Sequence, residues 1–320
     1  MATVQHNKFM IKFICILSLS LFGLINTHCN MSNDNIITIG YMPIVECLPL
    51  FIAVENGYFK NENLDVQLMQ FPGGSAILEA MSSNSVNIGF SNVVSLIYSH
   101  QGKKDFVSIW GATVEDKNHI LHGLVTLKNK IDSPASLKNK TIAINTLRNI
   151  DDLLITKWLL KNGISRKDIS LLEIPFPRMF SVLKKEDANA IAVVEPFLSI
   201  AKGDSSCEIM GNYYLGEKDE ALITTYCSSL KWISHNKSNL IKFKSAMNKA
   251  LEYYQENNRK SRMILLKYTK IQESIIDKIN LPIFRNSQPT TKELEYYIKE
   301  MYNESWLDRT YNPKEIIYEQ

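Results

Sequence analysis

The residues of this chain that could do chemistry are few and scattered. Gly73-Gly74-Ser75 offers free backbone N–H groups and a hydroxyl at a helix start, which suit an anion or a carbonyl; the alternative is an ordinary capped turn. Glu195 stands after an apolar strand and before Pro196, where it can face a ligand bearing N–H groups or serve as a structural carboxylate paired with Arg148 or Arg178. Tyr41 and Trp110 can stack on a flat ligand or pack in a core. Asn92, Asn145 and Asp151 are polar residues placed just beyond strand ends. His119 and His122 lie near Glu115 and Asp116, but in an extended segment they point to opposite faces, and no HExxH spacing occurs. No GxSxG elbow and no phosphate-loop or dinucleotide pattern is present. The expectation is therefore binding without catalysis, with no catalytic residue, no metal and no cofactor.

The elements that must position these residues follow a pattern that occurs twice. Strand 36–41, a helix from Pro49 to Asn56 ended by Gly57, strand 64–71, a helix capped by Ser75 and strand 86–90 form one βαβαβ unit. Strand 141–145, helix 151–162 ended by Gly163, strand 169–174, helix 177–185 and strand 190–194 repeat it. Two such units imply two parallel sheets. Extended segments 106–114 and 121–127 read as the first crossing between lobes, and 222–233 as the return. Helix 236–257 and a helix opened by a Thr290–Glu293 capping box clad the C-terminal third.

In open α/β sheets ligands bind beyond the carboxyl ends of the strands, which singles out loops 41–48, 72–75, 91–92, 145–151, 175–178 and 195–197. The candidate ligand set is Tyr41, Gly74, Ser75, Asn92, Trp110, Asn145, Asp151 and Glu195.

Composition fits this reading. The 320 residues are 45% hydrophobic and 22% charged, with a formal net charge of +3 and no long like-charge run, so no nucleic-acid surface is expected. Lys8 and Lys12 precede an apolar run from Phe13 to Ile25, which is signal-peptide grammar and too short to span a bilayer, for which roughly 20 residues are needed. Cys29 follows at the place of a lipid-modified cysteine, with His28 and Asn26 in positions that a lipobox fills with small and aliphatic residues; lipid anchoring and simple cleavage both stand. Of Cys47, Cys207 and Cys227, at most one pair bridges, Cys207 to Cys227 being the shortest option; buried free thiols are the other reading.

The stretches PLFIAVENGYFKNENLDVQL, GGSAILEAMSSNSVNIGFSN, SPASLKNKTIAIN and ANAIAVVEPF, with the long helix after Ile233, resemble the SsuA/THI5-like group of sulfonate, nitrate, taurine and thiamine-pyrimidine binding proteins over most of residues 36–257. The resemblance implies a type II periplasmic-binding-protein fold, two Rossmann-like lobes joined by two hinge strands. It implies the divisions 1–29 signal, 30–112 first lobe, 113–232 second lobe with the hinge crossings, and 233–320 completion of the first lobe. It implies capture of a small molecule, a sulfonate-, nitrate- or taurine-like anion or a thiamine-related pyrimidine, by an exported monomer. That monomer is periplasmic or lipid-anchored outside the cytoplasmic membrane and serves an ABC permease in the inner membrane.

By position, Gly74 and Ser75 resemble the first-lobe ligand turn, Asn92 the residue after the third strand, and Glu195 the acidic residue of the second lobe. Asn145-Thr146-Leu147-Arg148 departs from the Gly-Ser pair common there, which weakens the case for an oxyanion held by a second-lobe glycine turn. A pyrimidine-synthase-like enzyme shares the PLFIAVENGYFKNENL stretch but carries a cysteine-rich iron cluster where this chain reads Thr224-Thr225-Tyr226-Cys227-Ser228-Ser229. A ligand-sensing lobe without transport is the third reading.

Overall fold

A computed structural model describes residues 36–216 and 218–319. The expected signal segment, and Cys29 with its lipidation, lie outside the described residues.

The first unit runs β1 (Ile36–Tyr41), α1 (Leu48–Glu55), β2 (Asp65–Gln70), α2 (Gly74–Ser82), β3 (Ile88–Asn92) and α3 (Val93–Gln101). Proline in the first turn of α1 and Gly57 at φ 70°, just past its end, set its boundaries as the sequence reading expects. The chain crosses through β4 (Phe106–Asp116) into β5 (His122–Leu127). The second unit is β6 (Thr141–Ile144), α4 (Ile150–Lys161), β7 (Ser170–Glu173), α5 (Phe176–Lys184) and β8 (Ala190–Val194), followed by α6 (Phe197–Gly203) and β9 (Cys207–Gly211). The return strand β10 (Glu220–Ser229) leads to a short helix Leu230–His235, then α7 (Lys237–Glu256), α8 (Asn258–Thr269), β11 (Ile283–Arg285) and α9 (Thr291–Asn303).

These strands form two sheets, ordered β11-β4-β10-β3-β1-β2 and β7-β6-β8-β5-β9. We call the lobes built on them first and second. The expectation of two parallel sheets is corrected: β1–β3, β6–β7 and β6–β8 are parallel, but β10 pairs antiparallel with β3 and β4, and β5 pairs antiparallel with β8 and β9. β5 and β10, which enter their sheets directly from the other lobe with no helix between, run against the strands beside them, whereas β4, delivered through α3, runs parallel to β3. The last four residues of the predicted return segment, 230–233, are helix instead, capped by Ser229, whose side chain accepts from Trp232 N.

Each sheet carries its apolar mass in fully buried strands, such as β8, buried at all five positions. The stripe on α7 behaves as core: Leu240, Phe243, Met247 and Ala250 are essentially inaccessible. Cys47, Cys207 and Cys227 are free thiols. Cys227 lies in the first sheet and Cys207 in the second, so the bridge option falls and the free-thiol reading stands. No helix among the described residues is long and apolar enough to cross a membrane.

Candidate functional site

The strand-end loops meet between the lobes. A cavity of about 30 Å³ is bounded by Met42, Ile44 and Glu46 from the β1 loop, and by Asn92 at the end of β3. From the second lobe come Asn145, Asn149 and Asp151 after β6 and Phe176 after β7. His122, Tyr214 and Thr224, on or next to the crossing strands, complete it. Four of the six loops expected from the sequence thus line the cavity, and the other two clasp across it. Asn145 Nδ2 donates to Pro72 O at 2.9 Å, and Val45 N–H donates to Glu195 O at 3.5 Å. Arg148 also donates to the Tyr98 hydroxyl. The cleft is shut, with room for about two water molecules.

A second void of about 10 Å³ shares Glu46 and Thr224 with this cavity and is walled by Trp110, Tyr226 and Arg285. Trp110 is core as well as wall: its indole N–H donates to Asn248 Oδ1 at 2.8 Å, and its ring packs on Tyr226 and Phe243.

The most telling electrostatic feature is a buried cluster that sequence reasoning missed. His122 Nδ1 donates to Glu115 Oε2 at 2.7 Å, its ring stacks on Tyr214 at 3.6 Å, and Asn212 donates to the other oxygen of Glu115. Burial alone would lower the His122 pKa, but the Glu115 bond and charge, with the charge of Glu46, leave it raised. Glu46 faces His122 Nε2 at 3.8 Å, too long for a hydrogen bond. Burial pushes the Glu46 carboxyl up to about 7, against the partial relief that His122 gives. Asp151 is committed within its own lobe, accepting from the Tyr213 and Tyr214 hydroxyls at 2.8 and 2.9 Å. His119 stays outside, bonded to Asp116 at 2.8 Å on an exposed turn.

The other candidates fall as follows. Asn92 both lines the cavity and caps α3, its Oδ1 accepting from Ser95 N at 2.8 Å. Tyr41 packs edge-on against Phe51 and Tyr268 and does not line the cavity. Ser75 is not the cap of α2: Gly73 holds that position without a side-chain bond, and the Ser75 hydroxyl meets Ser95 Oγ at 3.3 Å. Gly74 packs so closely on Ser91 that a Cβ would lie 2.7 Å from its hydroxyl.

Glu195 departs most from the sequence reading. Its carboxylate is wholly buried, accepts from Ser199 N at 3.0 Å, Ser199 Oγ at 2.8 Å and Asn280 N at 3.3 Å, and pairs with neither Arg148 nor Arg178. It anchors the start of α6 to the segment before β11, and burial raises its pKa.

Ser75 and Arg148 instead border an outer groove of about 410 Å³ between α2, α3 and residues 146–148, with Thr146, Tyr98 and Lys104. This groove carries the arginine and lysine side chains that the cavity lining lacks.

Comparison with known proteins agrees with this architecture. The family model described as NMT1/THI5 like matches residues 45–261. The nitrate import ATP-binding protein NrtC of Synechocystis is 26% identical over 182 residues, 51% of this chain and 27% of NrtC. YtlA of Bacillus subtilis, named as a binding protein, is 24% identical over 216 residues, 66% of this chain and 64% of YtlA. The matches therefore span less than two thirds of either curated relative. The alkanesulfonate-binding protein SsuA from Xanthomonas axonopodis pv. citri, solved bound to MOPS, superposes with a TM-score of 0.75 at 16% identity over 89% of this chain and 98% of that one. The fold is that of the periplasmic binding proteins.

Proposed function

The chain belongs to the NMT1/THI5-like family, and on that premise we propose that it is an extracytoplasmic solute-binding protein that captures a small molecule between its lobes for an ABC importer. One observation carries the proposal. Loops from the carboxyl ends of strands in two separate sheets converge on a single buried polar cleft, and both sheets supply the bonds that hold it shut. A solute bridging the lobes would favour a closed form wrapped around it over an open one by its differential affinity, and a permease that recognises that form would receive loaded protein.

The apolar run at residues 13–25 supports export, with the chain free or anchored through Cys29; a monomer serving an inner-membrane permease is part of the same proposal. Turnover is disfavoured by the placement of Cys227, the lone cysteine of the 224–229 segment. Its thiol lies in the first sheet against Gly89 O, and burial pushes its pKa up to about 12, far from thiolate chemistry. Of the two ligand classes the family suggests, a sulfonate-like anion suits the outer groove with Arg148 and Lys104, and an N–H-bearing molecule suits the inner cleft.

The test is to purify the exported chain, identify retained solute by mass spectrometry, and measure its melting temperature with that solute added back. At 100 times the dissociation constant the solute adds about 2.7 kcal/mol of stability. No retained solute, and no shift with any sulfonate, nitrate or aminopyrimidine, would count against capture.

A further inference from the structure

The void beside Trp110 collects polar atoms that the fold leaves unmatched. Glu46 Oε2, the Tyr226 hydroxyl and Arg285 Nε are all buried and have no hydrogen-bond partner among the described residues, and all three residues line this one void. Unmatched buried polar atoms are rare in native folds because each forfeits its hydration without return. The general chemistry of the three does not need them there for packing. The Tyr226 ring already packs edge-on or tilted against Phe90, Trp110 and Phe243, and Arg285 already bonds Glu293 through Nη2.

Their complementarity is specific. Glu46 Oε2 calls for an N–H, Arg285 Nε calls for an acceptor oxygen or nitrogen, and the Tyr226 hydroxyl can serve either side. A group with a donor and an acceptor on adjacent atoms answers all three. An oxyanion answers the arginine but meets Glu46, with Glu115 and Glu195 close enough to add their charges to it.

We propose that Glu46, Tyr226 and Arg285 form the head-group subsite of the cleft and select a planar solute group carrying N–H beside C=O, of the primary carboxamide or urea type. The proposal rests on the reading of the cleft as the solute site and names the chemistry of that site. Trp110 supplies a flat apolar wall for such a group; in the shut cleft the void has room for about one water molecule, and a head group of three heavy atoms occupies it together with the adjoining cavity, which shares Glu46 and Thr224, as the cleft widens around it. The subsite was invisible in the sequence because its three members come from the β1 loop, β10 and β11.

Calorimetric titration of the full chain with acetamide, urea, methanesulfonate and nitrate tests this, with Tyr226→Phe and Glu46→Met as variants. The expected result is saturable binding of acetamide or urea, weakened at least tenfold in either variant, while Y226F melts no lower than the parent. A hydroxyl kept only for structure would lower the melting temperature of Y226F and leave affinity alone. Saturable binding of methanesulfonate or nitrate without the amides overturns the subsite and leaves solute capture standing. Amide binding indifferent to both variants also overturns it. Silence of all four probes at tens of millimolar marks the void as a water site; capture then survives only if the purified chain retains some other solute.

Discussion

Replacing Glu195 by alanine separates a fold-holding carboxylate from a ligand-holding one. The substitution removes the acceptor for three donors: Ser199 N, Ser199 Oγ and Asn280 N. The Ser199 hydroxyl has a second acceptor, Lys278 O at 3.2 Å, and keeps a partner. The two backbone N–H groups do not, and leaving each buried and unmatched costs about 1–3 kcal/mol. Part of that is offset, because burial already disfavours the ionised carboxylate. The net loss is about 2–4 kcal/mol, which in a chain of this size lowers the melting temperature by roughly 3–6 °C. Thermal unfolding by circular dichroism reads the loss, and titration of the retained solute at a temperature where the variant is folded reads affinity, which should be unchanged. E195A that melts with the parent but no longer binds solute would refute the reasoning and return Glu195 to the ligand.

Three further outcomes are expected. Gly73 has an extended backbone that alanine can adopt, but its Cβ would sit 2.7 Å from Asn145 Oδ1 and 2.9 Å from Thr146 Oγ1 across the cleft. Gly73→Ala should therefore leave the lobes folded while opposing closure, weakening solute binding roughly tenfold by titration. Glu46 holds its proton more tightly folded than unfolded, so the folded state binds more protons between pH 4.5 and about 7, and stability falls as pH rises through that window. Melting curves of Glu46→Gln against the parent should diverge across it by on the order of 2–3 kcal/mol, in favour of the variant at the alkaline end. Thr290→Ala removes one half of the capping box on α9, and the melting temperature should drop by the roughly 1.5–2 °C that about 1 kcal/mol represents in a chain of this size.

Much of the fold was legible because its signals are local. Proline in the first turn of α1, Gly57 after its end, the Thr290–Glu293 box and the two βαβαβ units are each written within a short window, and the structure realises them. Strand direction was not legible where no helix separates the strands. Nothing within β4, β5 or β10 says that each will lie antiparallel to its neighbours, since that is decided by partners distant in sequence.

The site was legible at the level of loops and not of side chains. The rule that places ligands beyond strand ends found Asn92, Asn145 and Asp151 on the cavity wall. It misread Glu195, because a carboxylate after a strand gives no sign of whether the serine four residues on will occupy it. It also passed over Glu46, which sits in an apolar run, and Tyr226 and Arg285, whose hydroxyl and Nε are left without a hydrogen-bond partner among the described residues.

The place of β10 in the first sheet fixes the order in which the chain can assemble. β10 lies between β3 and β4, so the sheet that begins at residue 36 stays divided until residues 220–229 arrive. The second sheet, by contrast, draws all its strands from the unbroken stretch 122–211. A chain emerging from its N-terminus can therefore complete the second lobe while the first is still two unjoined fragments. For a protein proposed here to be exported, a late-closing first sheet would keep the leading segment pliable until nearly three quarters of the sequence has passed.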